Sequence, residues 1–236
     1  MSLQKLPWLE LFKNKIAGQI PLDVWNLTSL TNQDGSYSLL TGAILDRIAR
    51  LENLVVLHLQ NSSFEGPMPS AIANLTKLYD VKLNKLNGNI PSTLGRNSSL
   101  LQFDVTNNQF HGQILSTLCA QGELERLILF NSTFTSNVQE LCGNCSSLIQ
   151  ILVFTFNCSY NRFSGRFAAR SIDLLSLDWF IGNPDICMAR SNCHEMDVHH
   201  STRTLTKRVI VSIVSIAAAF FPHRITTYRV DKQVRG

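Results

Sequence analysis

The sequence predicts an α/β repeat fold, a curved solenoid whose short parallel strands line its concave side. A Gly-x-Ile motif, with Met68 in place of Ile in one copy and usually followed by Pro, recurs at steps of 24, 24, 22 and 24 residues. Its glycines are Gly18, Gly42, Gly66, Gly88 and Gly112. A Leu-x-x-Leu-x-Leu pattern precedes most of these glycines, and an Asn follows it in some copies. One unit cannot bury its own apolar edge, so neighbouring units must stack to form a core.

Each unit is expected to contain one half-buried strand. In Leu54, Leu57 and Leu59 the last two leucines alternate, which places both on one face of a strand while the intervening residues project from the other. Glycine then permits a left-handed turn, and Ile-Pro fixes an extended exit. Asn14 and Asn108 follow their strands, where an amide can hydrogen-bond the backbone of neighbouring coils. Long helices are disfavoured because Gly and Pro recur in most units.

Two units depart from the pattern. In the second unit, Gln33 and Gly35 occupy the apolar strand positions, which predicts a buried polar side chain, a gap and a weak coil. Further along, Ser136 replaces the expected glycine, and the unit from Leu148 to Gly165 has about five extra residues. We expect residues 157–161 to bulge outward and packing there to be poorer.

These patterns resemble the plant-type leucine-rich repeat over about residues 6–167. The resemblance implies a solenoid over residues 1–170, with about seven repeats. Gly182-Asn183-Pro184 followed by Cys187 resembles the signature that closes plant leucine-rich-repeat ectodomains, which implies a cap over 171–193 and a Cys187–Cys193 disulfide. Residues 118–131 are similar to the peptide-sensing, HAESA-like group of plant receptor-like kinases. The chain then corresponds to an ectodomain fragment without signal peptide, N-terminal cap or kinase.

The remaining cysteines leave alternatives open. A zinc site from Cys187, Cys193, His194, His199 and His200 is disfavoured, because their spacing matches no common tetrahedral pattern. Cys142 and Cys145 have the C-x-x-C form of a redox motif, but the repeat phase places Cys145 where Leu75 sits. That phase favours a buried apolar thiol. Cys119 and Cys158 receive no assignment.

Several features concern the secretory pathway. Seven Asn-x-Ser/Thr sequons predict a glycoprotein, on Asn26, Asn61, Asn74, Asn97, Asn131, Asn144 and Asn157. The N-terminus lacks the features of a signal peptide, which favours either an upstream start or a cytosolic product.

After a polar stalk (194–208), the apolar run 209–221 has only 13 residues, followed by a basic tail (222–236). We interpret the run as a curtailed transmembrane segment, with a buried or interfacial helix as the alternative. The resemblance implies an extracellular-facing protein at the plasma membrane.

Composition and motifs argue against catalysis and nucleic-acid binding. The net charge is +4, and the 21 basic residues are scattered until the last thirty or so residues. The Gly-rich loop, Val-Ala-Ile-Lys, His-Arg-Asp and Asp-Phe-Gly motifs of kinases do not occur, and neither does Gly-x-Ser-x-Gly. We therefore expect a non-enzyme with no cofactor and no metal.

Binding is expected on the concave strand face. The repeat phase selects projecting side chains there, among them Phe12, His58, Gln60, Lys82, Asp104, Arg126 and Phe130. Mixed charge with aromatic rings suits an extended peptide, or a co-receptor ectodomain. The Arg-x-Arg pair by which peptide-sensing relatives hold a terminal carboxylate is replaced by Gln150 and Leu152 on the strand matched here, which disfavours such ligands. The alternative is a degenerate receptor remnant with no ligand.

Overall fold

The computed structural model describes residues 5–145, 156–167 and 177–188. Its strands are β1 (Trp8–Glu10), β2 (Ala17–Gln19), β3 (Asn32–Asp34), β4 (Leu39–Gly42), β5 (Val56–His58), β6 (Ser63–Phe64), β7 (Asp80–Lys82), β8 (Asn87–Gly88), β9 (Gln102–Asp104), β10 (Gln109–Gly112), β11 (Arg126–Ile128), β12 (Thr133–Phe134), β13 (Phe156–Asn157), β14 (Ser164–Phe167) and β15 (Asp185–Met188). The helix α1 spans Val138–Asn144, and 3₁₀ helices span Leu22–Asn26, Asp46–Arg50, Ser70–Asn74, Ser116–Cys119 and Leu177–Phe180.

Seven strands form the concave sheet, in the order β1-β3-β5-β7-β9-β11-β13, and every pairing is parallel. Leu57 pairs with Val81 and Val81 with Phe103, so the shortened repeat keeps its register. The middle residues of these strands are buried, whereas their neighbours stay half-exposed or exposed. The predicted solenoid of parallel strands is confirmed.

Further along the chain in each coil, shorter strands form smaller parallel sheets, with the orders β2-β4-β6, β8-β10-β12 and β14-β15. A 3₁₀ helix completes most coils and buries one large apolar residue, such as Ile48 or Ile72. The middle strand residues of most coils lie in the core, and Leu57, Phe103 and Leu127 at this position have no exposed surface. Stacking of coils therefore builds the core, as the periodicity predicts.

Buried Asn side chains join neighbouring coils. The Asn108 amide donates to the carbonyls of Leu83 (2.9 Å) and Val105 (2.6 Å), and its oxygen accepts from the backbone N–H of Leu86 (2.8 Å). Asn161 and Asn183 do the same in later coils. The prediction is confirmed for Asn108. It is wrong for Asn14, which is exposed and, among the described residues, donates to the carbonyl of Phe12 in its own coil and not to a neighbouring coil.

The second repeat is polar inside, as predicted, but has no gap. Gln33 is 1% exposed, and neither of its amide atoms has a hydrogen-bond partner among the described residues. A Cβ on Gly35 would lie only 2.9 Å from Cδ1 of Leu40 and 3.3 Å from Cδ2 of Leu59. The prediction of a gap is wrong because these two leucines fill the space that a larger residue would need.

The last coils pack more closely than predicted. Residues 157–161 do not bulge outward: Asn157 pairs with Ile128 in the concave sheet, and Asn161 is buried. Phe156 takes the register position 29 residues after Leu127, so the extra residues precede the strand. This register also corrects the strand matched for the Arg-x-Arg pair. Asn157, not Leu152, lies beside the projecting residue Ile128 of β11, and the residue that would take the place of Gln150 beside Arg126 lies outside the described residues.

The irregular unit that begins at Ser136 contains a short α-helix, α1, after the serine that replaces the expected glycine. The Asn137 side chain caps α1 by accepting from the backbone N–H of Gln139 (2.8 Å), and the helix buries Val138 and Leu141. The Ser136 hydroxyl accepts from the N–H of Ile114, one coil earlier. The helix therefore restores the packing that the Gly-x-Ile-Pro motif provides in the other coils.

A disulfide bond joins Cys119 to Cys145, with a Cα–Cα distance of 5.2 Å. Cys145 is buried as predicted, but the prediction of an apolar thiol is wrong. The bond connects the end of a 3₁₀ helix to the residue after α1. Cys158 is also buried, and its backbone N–H donates to the carbonyl of Trp179.

Candidate ligand-binding face

The concave face comprises the side chains that project from the concave sheet, and the strand register arranges them in three rows. The first row is Trp8, Asn32, Val56, Asp80, Gln102 and Arg126. The second row is Glu10, Asp34, His58, Lys82, Asp104, Ile128 and Asn157. The third row, two residues further along each coil, is Phe12, Ser36, Gln60, Asn84, Thr106, Phe130 and Ser159.

Charged groups meet near the middle of this face, around His58. Its Nε2 lies 2.8 Å from Oδ2 of Asp80, and its Nδ1 lies 3.9 Å from Oδ2 of Asp34. Nζ of Lys82 approaches the same Asp80 oxygen at 3.5 Å. The Asp34 side chain is 27% exposed and that of Asp80 is 13% exposed. We call Asp34, His58, Asp80 and Lys82 the charged cluster.

The carboxylate oxygens of this face differ in the hydrogen bonds that they accept from the protein. Oδ1 of Asp34 accepts from the backbone N–H and hydroxyl of Ser36, and Oδ1 of Asp104 accepts from the N–H of Thr106. Oδ1 of Asp80 has no hydrogen-bond partner among the described residues, and the same holds for Oε1 of Gln60. Both oxygens are buried, so a partner on this face would not contact them without a rearrangement of the surrounding side chains.

Aromatic rings flank the charged cluster on both sides. In the N-terminal aromatic cluster, the rings of Phe12 and Tyr37 meet edge to face at 5.6 Å, with Nζ of Lys13 at 4.8 Å from the Phe12 ring. In the C-terminal aromatic cluster, Phe130 and Tyr160 meet edge to face at 5.5 Å. Phe12, Tyr37 and Tyr160 are each more than two-fifths exposed.

The predicted binding residues all lie on this face. They are Phe12, His58, Gln60, Lys82, Asp104, Arg126 and Phe130, spread over five of the seven concave coils. Only His58 and Lys82 join the charged cluster, through Asp80. Ligand binding by any of them stays a prediction.

Sequence reasoning missed Asp34, Tyr37 and Tyr160. Asp34 lies between Gln33 and Gly35, the apolar strand positions of the second unit, so the repeat phase was the signal that could have placed it among the projecting residues. Tyr37 and Tyr160 take the left-handed position that Asn61 and Asn131 occupy in other coils, with φ of 50° and 55°. Comparison with those asparagines is the signal that locates both tyrosines.

The predicted sequons divide between two faces of the solenoid. Asn26 and Asn74 end 3₁₀ helices, and Asn97 also lies outside the concave sheet. Asn61 and Asn131 directly follow the third row, and all five side chains are exposed. Asn157 is half-buried, and its Oδ1 accepts from the Ser159 hydroxyl at 2.7 Å. The side chain of Asn144 lies outside the described residues.

Cys187 forms a disulfide bond, while its predicted partner Cys193 lies outside the described residues, so the pairing stays a prediction. Residues 194–236, which include the predicted stalk, apolar run and tail, also lie outside them. Within the described ranges, no helix has the length and apolar character required to cross a membrane. In the same ranges, no three His, Cys, Asp or Glu side chains are grouped as metal ligands.

Comparisons with known proteins agree with this geometry. The Leucine Rich Repeat family model matches residues 53–75. In structure, the chain is similar to the leucine-rich-repeat ectodomain of the Arabidopsis thaliana receptor kinase GASSHO1/SCHENGEN3, solved with CASPARIAN STRIP INTEGRITY FACTOR 2. The TM-score is 0.69 and the identity 29%, over 80% of this chain and 23% of that one. The chain has the leucine-rich-repeat fold.

Two further similarities refine this result. The Arabidopsis receptor kinase HAESA, solved with the peptide hormone IDA and the co-receptor SERK1, has a TM-score of 0.67 and 27% identity, over 78% of this chain and 34% of that one. Receptor-like protein 35 of Arabidopsis thaliana is 34% identical over 167 residues, which cover 70% of this chain and 17% of that protein. The chain spans between 12% and 17% of the length of the curated relatives it matches.

Proposed function

We propose that this chain is a non-catalytic, receptor-like interaction module that binds an extended peptide through the concave face. The observation that carries the proposal is the continuous seven-stranded sheet, whose projecting rows combine polar groups with two exposed aromatic clusters. Polar side chains can meet a peptide backbone, and aromatic rings can receive its side chains. The structural neighbour HAESA, solved with the peptide hormone IDA, supports this assignment. Binding of a co-receptor ectodomain is the second candidate function, and it is suggested by the HAESA structure, which contains the co-receptor SERK1.

The proposal includes an extracellular-facing location. A disulfide between Cys119 and Cys145 supports folding in an oxidising compartment, because such bonds are rare in the cytosol. Exposure of Asn26, Asn61, Asn74, Asn97 and Asn131 is compatible with glycosylation there. Membership in the HAESA-like group and attachment to the plasma membrane belong to this proposal as well.

The test is a glycan shield placed on the concave face. Gln102→Asn with Asp104→Thr creates a sequon in the middle of the sheet, and the matched control Arg47→Asn with Ala49→Thr creates one on a 3₁₀ helix. Each protein, secreted from plant cells, is used to select from a random dodecapeptide phage library. We expect enrichment on the wild type and the control but not on the concave variant.

Two outcomes would count against the proposal. If no peptide is enriched on any of the three proteins, the peptide-binding function is wrong and the remnant without a ligand becomes the better interpretation. If enrichment survives the concave glycan, confirmed as occupied by a glycosidase mobility shift, the ligand binds elsewhere.

A further inference from the structure

Resting on the proposed function, we infer the class of peptide that this face selects: a basic peptide with large apolar side chains about seven residues apart. The basic side chain would bind at the charged cluster, and the apolar side chains would pack on the two aromatic clusters. Three features of the concave face lead to this inference.

The separation of the aromatic clusters sets the length. Phe12 follows β1 and Phe130 follows β11, which are five strand steps apart in the sheet. Neighbouring strands lie about 4.8 Å apart, so the two rings are separated by about 24 Å along the sheet. An extended chain rises by about 3.3 Å per residue, and about seven residues therefore bridge that distance.

The third row provides groups that suit the backbone of such a peptide. Between Phe12 and Phe130 it contains Gln60 and Asn84, whose side chains are both half-buried. The Asn84 amide donates to the carbonyls of Thr106 and Asn107 at long distances, 3.3 Å each. An amide side chain can both donate to and accept from a peptide backbone, so Asn84 suits a ligand lying along this row.

The charged cluster determines the sign of the ligand charge. Counted with histidine uncharged, as in the +4 of the whole chain, the two carboxylates and Lys82 give the charged cluster a formal charge of −1. Asp34 is the more exposed of the two carboxylates, at 27% against 13% for Asp80. A guanidinium group offers five N–H donors in a planar fork and matches a carboxylate in two contacts, so arginine fits this cluster best.

The strand order also places the basic residue within the peptide. His58 lies two strand steps from the coil of Phe12, a distance of about 10 Å that about three extended residues cover. The preferred ligand therefore carries its basic residue about three positions from the apolar residue at Phe12. The second apolar residue then falls about four positions beyond the basic one.

The experiment sequences the peptides enriched from the random dodecapeptide library and compares four proteins. They are the wild type, Asp34→Gln, Asp80→Asn and the control Asp46→Asn, which also exchanges a carboxylate for an amide, on an exposed 3₁₀ helix. Glutamine is used at position 34 because an asparagine there, followed by Gly35 and Ser36, would create a glycosylation sequon. We expect wild-type and control selections to enrich Arg or Lys between two large apolar residues. For one such synthetic peptide, fluorescence anisotropy should show at least a tenfold weaker Kd with Asp80→Asn and with Asp34→Gln.

The aromatic clusters are tested with the same peptide. Phe12→Ala should weaken its binding at least fivefold, and so should truncation of its matching apolar residue, whereas Tyr79→Ala, at an exposed ring before β7, should not. A thermal melt verifies that each variant is folded.

The outcomes separate this inference from the proposed function. Enriched peptides that lack a basic residue, or whose binding is unchanged by both Asp34→Gln and Asp80→Asn, would overturn the inference while peptide binding itself stands. Absence of any enriched peptide on the wild type would overturn both.

Discussion

Replacing Gln33 by Leu should stabilise the protein, because it removes an unpaired amide from the core. Gln33 is 1% exposed, its Nε2 and Oε1 have no partner within the described structure, and its strand neighbours are Leu9 and Leu57. Burying an unsatisfied polar group costs about 1–3 kcal/mol, and leucine has nearly the same volume. We therefore expect a gain of about 2 kcal/mol in the free energy of unfolding.

Urea unfolding followed by circular dichroism measures this gain, and calorimetry gives the matching rise in Tm. For a chain of this size, 1 kcal/mol corresponds to a shift of about 2–4 °C, so Tm should rise by about 4–8 °C. The control Gln109→Leu makes the same change on β10, where the side chain is exposed. It should stay within about 0.5 kcal/mol of the wild type. A Gln33→Leu protein that is no more stable than the wild type would refute the reasoning. Such a result would mean that the Gln33 amide of the wild type is hydrogen-bonded in solution.

Three other substitutions test the packing of the coils. The double substitution Cys119→Ala with Cys145→Ala removes the disulfide, whose cysteines are 26 residues apart. By the chain-entropy relation it should lower the free energy of unfolding by about 3.5 kcal/mol, as measured by urea unfolding. An unchanged urea midpoint would contradict this prediction. Asn108→Ala should cost about 3 kcal/mol because it leaves buried backbone groups of Leu83 and Leu86 unpaired, whereas the exposed Asn14→Ala should cost less than about 0.5 kcal/mol. Gly95→Ala should prevent folding or lower Tm steeply, because its Cβ would lie 2.7 Å from the Thr117 carbonyl oxygen and from Leu118 Cα. Gly122→Ala, also at positive φ but with open space around it, should cost only about 1 kcal/mol; equal losses would disprove a steric cause.

The period of the sequence predicted the concave sheet because strand pairing follows directly from stacking identical units. Leu57, Val81, Phe103 and Leu127 align in register just as their repeat positions indicate. The period failed where the spacing changed. The extra residues before Phe156 shifted the matched strand, so counting from Leu148 located the wrong segment.

Features that depend on contacts between coils were harder to predict. Cys145 occupies a leucine position in the repeat, and nothing in that position shows that the end of the preceding 3₁₀ helix brings Cys119 within disulfide distance. Similarly, the leucine pattern does not reveal that Leu40 and Leu59 fill the space beside Gly35. Such contacts depend on side-chain directions across neighbouring coils rather than on the spacing of residues within one.

The candidate site was also predicted in part: the spacing of residues located its side chains, but it did not show the contacts between them. Repeat phase identified which side chains project from the sheet, since alternate residues of a strand face opposite sides. It did not identify which of them interact, because Asp34 and Asp80 approach His58 from flanking strands and from different rows. In a stacked sheet each strand contributes only a few projecting residues, and a ligand that lies across the strands contacts several coils at once. Specificity on such a face therefore depends on combinations from neighbouring repeats, and the charged cluster between the two aromatic clusters is one such combination.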